Sequence, residues 1–165
     1  MKSSLSTSTV EQRRIWATII IEKDIDIKAL SELLKCEQKI AIRFLWLLSE
    51  IGALNSNKLI LELPFLLDLC DNLNPTYKTS FATFWMIVGV PIENEGKAID
   101  LLFKWLLSTD TNVTIKSRSF LVLYKLTKKY PELNNELRLC LNDQMDKYTN
   151  NFKKRATKIL TKIEQ

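Results

Sequence analysis

A chain of 165 residues, 46% hydrophobic and 26% charged, suits a single folded globular domain and is no candidate for intrinsic disorder. It contains no histidine, which excludes His-dependent triads, His-ligated metals and imidazole proton shuttles, and its three glycines exclude a glycine-rich phosphate loop. The net charge of +5 is uneven: residues 113–165 carry 12 Lys and Arg against 5 Asp and Glu, whereas residues 1–112 carry 12 against 14.

Residues 1–8 are polar, lack the apolar block of a signal peptide, and read as a flexible tail. Ser8-x-x-Glu11 then forms a capping box that opens a helix running to about Lys23. A short helix follows Asp26, with Ile27, Leu30, Leu33 and Leu34 at helical spacing. The third helix spans about Glu37 to Ile51 and is predicted to stop at Gly52. The fourth spans about Lys58 to Asn72 and contains Pro64, which must kink or restart it. Asn74-Pro75 starts a fifth helix that ends near Gly89 and Pro91.

The sixth helix covers about Glu95 to Ser108, and Asp110-Thr111-Asn112 caps the seventh, about Val113 to Lys129. Tyr130-Pro131-Glu132 separates it from the eighth, whose stripe is Leu133, Leu137, Cys140, Leu141 and Met145. The ninth begins near Asn150 and carries Phe152, Ala156, Ile159, Leu160 and Ile163. The middle helices are apolar on nearly every side, whereas the last two have one apolar face each. A stack of helix pairs with a capping end predicts this contrast, because inner helices are covered twice and terminal ones once. The longest nearly apolar run, Phe81 to Ile92, falls short of the roughly 20 residues a membrane span takes. A cytoplasmic protein without membrane contact is expected.

One short pattern recurs: Arg, three residues, an aliphatic residue, Leu, two residues, an aliphatic residue. Its copies begin at Arg43, Arg118 and Arg155, the last two 37 residues apart, and a degenerate copy begins at Ser80. Repeats of this period are helix pairs rather than an enzyme core. The expected fold is therefore all-α, a right-handed α-α superhelix of about eight or nine helices, forming one domain over residues 1–165.

The period, the Arg-led stripe and the proline at the joint between paired helices resemble HEAT-like repeats. The likeness is strongest over Ile99 to Ile163 and weaker over Gln38 to Leu69. It rests on Phe103-Lys104-Trp105-Leu106, Leu123-Tyr124-Lys125-Leu126, Pro131-Glu132-Leu133 and the closing run from Phe152 to Leu160. Within the HEAT-like proteins it is similar to a family of small bacterial members, some labelled adenylosuccinate lyase. That label implies a catalytic Ser on a Gly-Ser-Ser loop and a helper His. This chain has neither a His nor a Gly-Ser pair, so a non-enzymatic reading is preferred, with no catalytic residue, metal or cofactor.

Candidate sites follow from charge. Arg43, Arg118 and Arg155 read as fasteners that reach a carboxylate or a helix C-terminus in the neighbouring repeat. A basic skin is expected from the C-terminal third, including Lys116. Its candidate contacts to a partner or to phosphate are Lys125, Lys128, Lys129, Lys154, Lys158 and Lys162. Trp16, Trp46, Trp85 and Trp105 read as core residues, and Cys36, Cys70 and Cys140 as small buried hydrophobes. The expected function is a scaffold that binds a protein or peptide partner on a concave helical surface. The alternative is a nucleic-acid-binding module like the HEAT-like DNA alkylation-repair proteins.

Overall fold

The computed structural model describes residues 2–164, and among them every regular element is helical, with no strand. The chain forms two compact units, residues 1–93 and residues 94–165.

The first unit is built around one long helix. Its elements are α1 (Lys2–Leu5), α2 (Val10–Glu22), α3 (Ile27–Leu30), α4 (Gln38–Leu54), α5 (Ser56–Ile60), α6 (Leu63–Leu73) and α7 (Phe81–Val88), with 3-10 turns at Ser31–Lys35 and Pro75–Ser80. Ala41, Phe44, Leu45, Leu47, Leu48 and Ile51 of α4 are all buried, and α2, α5 and α7 pack around them. Phe81, Phe84 and Trp85 fill the other side of this core, with Phe81 against Phe84 edge-on at 5.1 Å between ring centroids.

Polar side chains punctuate these helices where backbone donors lack partners. The capping box lies one residue later than the sequence suggests: Thr9 Oγ1 accepts from the Gln12 amide, and Gln12 Oε1 accepts from the Thr9 amide. The Ser8 hydroxyl instead donates to the Leu5 carbonyl. Asp26, Asn55 and Asn74 each accept an amide two or three residues on. Asp24 adopts φ +47 where the chain leaves α2, with the Ile25 amide bonded back to the Ile20 carbonyl in a Schellman-like ending.

Three expectations need correction here. The segment read as a flexible tail contains α1, and Leu5 and Ser8 are buried, because Leu5 sits against the central core and Ser8 holds the turn into α2. The helix does not stop at Gly52 but runs to Leu54. A Cβ at Gly52 would lie 2.6 Å from Leu59 Cδ2 and 3.0 Å from Val88 Cγ1, so the glycine admits close packing of α5 and α7 rather than ending α4. Pro64 restarts the fourth predicted helix as expected, giving α5 and α6, and with α1 the described residues form eleven α-helical segments instead of about eight or nine.

The second unit comprises α8 (Glu95–Leu107), α9 (Val113–Leu126), α10 (Leu133–Gln144) and α11 (Asn150–Ile163). α8 and α9 are antiparallel: Lys116 of α9 bonds Leu106 near the end of α8, and Lys129 just after α9 bonds Glu95 at the start of α8. α10 packs against α9, α8 and α11, and α11 packs against α9 and α10. Phe120, Leu123, Leu137, Leu141, Ile159 and Leu160, the expected core of this half, are all buried. Phe120 and Phe152 meet edge-on at 5.3 Å. The apolar positions of the recurring pattern are buried in α4 and α9, and Ile159 and Leu160 are buried in α11.

Candidate functional site

α9 and α11 start at polar caps. Asn112 Oδ1 accepts from the Thr114 amide at 2.7 Å, and Thr149 Oγ1 accepts from the Phe152 amide at 3.3 Å. Each helix then turns its stripe inward: Phe120, Val122, Leu123 and Leu126 from α9, and Phe152, Ala156, Ile159 and Leu160 from α11. Neither helix contains a single Asp or Glu. Their outer faces therefore carry cations with no carboxylate of their own helix to screen them.

These cations converge. Lys128 Nζ lies 4.5 Å from the centroid of the Tyr124 ring, and Lys162 Nζ lies 5.7 Å from the same ring. Cation–π attraction to one half-buried tyrosine thus holds a lysine beside each helix at a common point. Toward the other end, Arg118 and Arg155 are neighbours: burial first, and then the charge of Arg155, push the pKa of Arg118 down. Arg118 is half-buried and Arg155 is exposed. Since Phe120 meets Phe152 and Tyr124 meets Lys162, the two helices run in the same direction.

The remaining candidates divide. Lys125, Lys154 and Lys158 are exposed, with Lys154 and Lys158 on the same outer side of α11 as Lys162. Lys129 is held elsewhere: its Nζ bonds Glu95 Oε2 at 2.6 Å, and Tyr130 donates a short hydrogen bond to the same oxygen. Those two hydrogen bonds hold the Glu95 carboxyl below its ordinary range, although its partial burial acts more strongly in the opposite sense than either bond alone. Glu95 bonded in this way clamps the start of α8 to the end of α9. Lys116, expected on the basic skin, is wholly buried, its Nζ 2.7 Å from the Leu106 carbonyl oxygen and 4.9 Å from the Tyr148 ring centroid.

Arg43 does reach a neighbouring element, but its target is a main-chain oxygen rather than a carboxylate. Its Nη1 donates to the Ser8 carbonyl at 2.9 Å, and its guanidinium lies 4.6 Å from the Trp46 ring centroid. Arg13, which the sequence reading passed over, donates to the same carbonyl at 2.8 Å. Its signal was a weak one: it stands 30 residues before Arg43 and is followed by buried Ala17 and Ile20 at helical spacing. Trp46 is a second correction, being 45% exposed rather than a core residue. It projects from the side of α4 that carries Lys39, Arg43 and Glu50, at spacings of four, three and four, away from the buried stripe.

Cys70 and Cys140 are buried as expected, whereas Cys36 is only half-buried. Burial, with help from Asp71 and against Lys78, pushes the Cys70 thiol up to about 12, and burial also raises Cys140. No helix among the described residues is long and apolar enough to cross a membrane. No family model matches the chain, and neither a curated relative nor a solved structure matches it.

Proposed function

We propose that the protein is a non-enzymatic helical-repeat module of the HEAT-like, right-handed superhelical kind, working in the cytoplasm. In this reading α9 and α11 bind an acidic segment of a protein or peptide partner. Support for the repeat comes from the 37-residue period and from the parallel packing of the two helices that carry its last two copies.

One observation carries the binding reading: two adjacent parallel helices without a carboxylate gather Arg118 and Arg155 at one end and Lys128 and Lys162 around Tyr124 at the other. Six or seven residues along a helix is about 10 Å at 1.5 Å per residue. Carboxylates two turns apart on a partner helix have about that separation, so an acidic helix laid along the seam would meet both groups of cations. Pull-down from native lysate with wild type and with the double variant Lys158→Glu, Lys162→Glu tests this. Wild type should retain a protein with an acidic segment that the variant loses in proportion to salt. Equal retention by both removes the seam from the reading.

A nucleic-acid backbone is the second reading, favoured by the same lack of acidic residues. Its aromatic requirement is poorly met, because the Tyr124 ring is already occupied by two ammonium groups and is not an open stacking platform. Gel shifts with duplex DNA across a salt series decide it: saturable retardation that weakens steeply with salt and disappears in the double variant would favour nucleic acid over the peptide.

A further inference from the structure

Away from α9 and α11, the densest unexplained charge lies in the first unit, where α2 and α4 pack side by side. The Ser8 carbonyl accepts from Arg13 Nη1 at 2.8 Å and from Arg43 Nη1 at 2.9 Å, so two guanidinium groups share one neutral acceptor. Arg13 also reaches Ser8 Oγ at 3.3 Å. Both groups lie against the Trp46 ring, at 5.2 and 4.6 Å from its centroid.

The counter-charge is incomplete. Among the described residues no carboxylate is ion-paired with Arg13 or Arg43; the nearby Glu50 accepts from Arg14 Nε at 3.1 Å. Arg13 is only 4% exposed, and its Nε is buried without a hydrogen-bond partner. Burial, followed by the charge of Arg43, pushes its pKa down, with Glu50 acting against both. Glu50, already bonded to Arg14, is thus the one carboxylate whose charge reaches Arg13. A buried cation with so little compensation is costly unless an anion joins it.

We propose that Arg13, Arg43 and Trp46 form a binding site for an oxyanion, a phosphate group or a carboxylate. Arg43 is only half-buried, and a guanidinium carries five N–H donors of which the Ser8 bond uses one. The remaining donors form the planar fork that pairs with two oxygens at once. Arg13 fixes the orientation of the pair from below through Ser8, and the exposed part of Trp46 borders the approach from solvent. The recurring arginine pattern thereby acquires a binding role in the first unit that is independent of the seam between α9 and α11.

Inorganic phosphate and acetate are the probes, titrated at constant ionic strength against chloride while tryptophan fluorescence and the melting temperature are followed. Wild type should show a saturable change that is missing from the fluorescence of Trp46→Phe. Response to phosphate alone assigns a phosphate group, and response to acetate as well assigns the carboxylate class. Arg43→Lys keeps the charge and the fold but loses the fork, and should bind about tenfold more weakly, the value of roughly 1.4 kcal/mol. Arg43→Gln should bind more weakly still. A response no greater than that to chloride, or one that Arg43→Lys leaves intact, overturns the site and reduces the pair to a clamp on the Ser8 turn. Loss of the seam's partner in the pull-down leaves this outcome untouched, since Lys158 and Lys162 belong to the other unit.

Discussion

Lys116 Nζ, withdrawn from solvent, donates a 2.7 Å hydrogen bond to the carbonyl oxygen of Leu106. Leu106 lies in the last turn of α8, where carbonyl groups have no partner within the helix and the backbone dipole is negative. The ammonium therefore answers both a missing donor and a negative helix end, and Tyr148 covers it with a ring face. A lysine expected on the basic skin is instead a fastener between α8 and α9.

Replacing it tests that role. Lys116→Met keeps most of the volume and removes the charge, leaving a buried carbonyl unsatisfied. It should lower unfolding stability by about 1–3 kcal/mol. A urea melt of the variant that overlays wild type would mean that burying the ammonium costs as much as its bond returns.

Phe120 joins the stripe of α9 to Phe152 of α11. Phe120→Ala removes a large buried ring and should cost about 3–5 kcal/mol, while Lys158→Ala on the outer face of α11 should change stability by less than about 0.5 kcal/mol. Paired thermal melts check the contrast, and similar losses for the two would contradict the inward and outward faces described for these helices.

Arg118 and Arg155 occupy equivalent positions of the repeated pattern yet differ in exposure. Arg155 is exposed and repels its neighbour, so Arg155→Ala should leave stability within about 0.5 kcal/mol of wild type or raise it slightly. Arg118 is half-buried, and Arg118→Ala should cost about 1 kcal/mol in lost packing. Denaturant midpoints of both variants separate the cases; equal losses would restore a fastening role to Arg155.

Glu95, bonded by Lys129 and Tyr130, has a folded-state pKa below its ordinary value of 4.5. Its contribution to stability is present above the unfolded-state pKa and is lost as pH falls through the lower folded value. Lys129 runs the other way: its pKa is raised, chiefly by the Glu95 bond, so its contribution holds below 10.5 and is lost as pH climbs through the higher folded value. Glu95→Gln should therefore melt below wild type near neutrality, with the gap closing as pH drops under about 4.5. A gap independent of pH from 3 to 7 would assign the effect to packing instead.

The helices were legible because they are local. Apolar residues at spacings of three and four mark a buried stripe wherever the neighbouring helix lies, which is why Leu123, Leu137 and Ile159 could be placed in the core from the chain alone. Pro64 restarted its helix for an equally local reason, the missing amide donor. Gly52 misled because its meaning is not local: the same residue that ends helices elsewhere here makes room for Leu59 and Val88.

Charge placement was the part that spacing could not reach. Lys116 and Lys125 look alike in the sequence of α9, yet one is buried on a helix end and the other is exposed. Arg43 and Arg13 meet over Ser8, and Lys128 and Lys162 meet over Tyr124, at separations of 30 and 34 residues. Periodicity sets which side of a helix faces inward, since backbone geometry repeats every 3.6 residues. Which cation is stripped of water, and which aromatic ring or carbonyl receives it, depends on how separate helices pack, because desolvation and Coulomb energy follow distance in space and not along the chain.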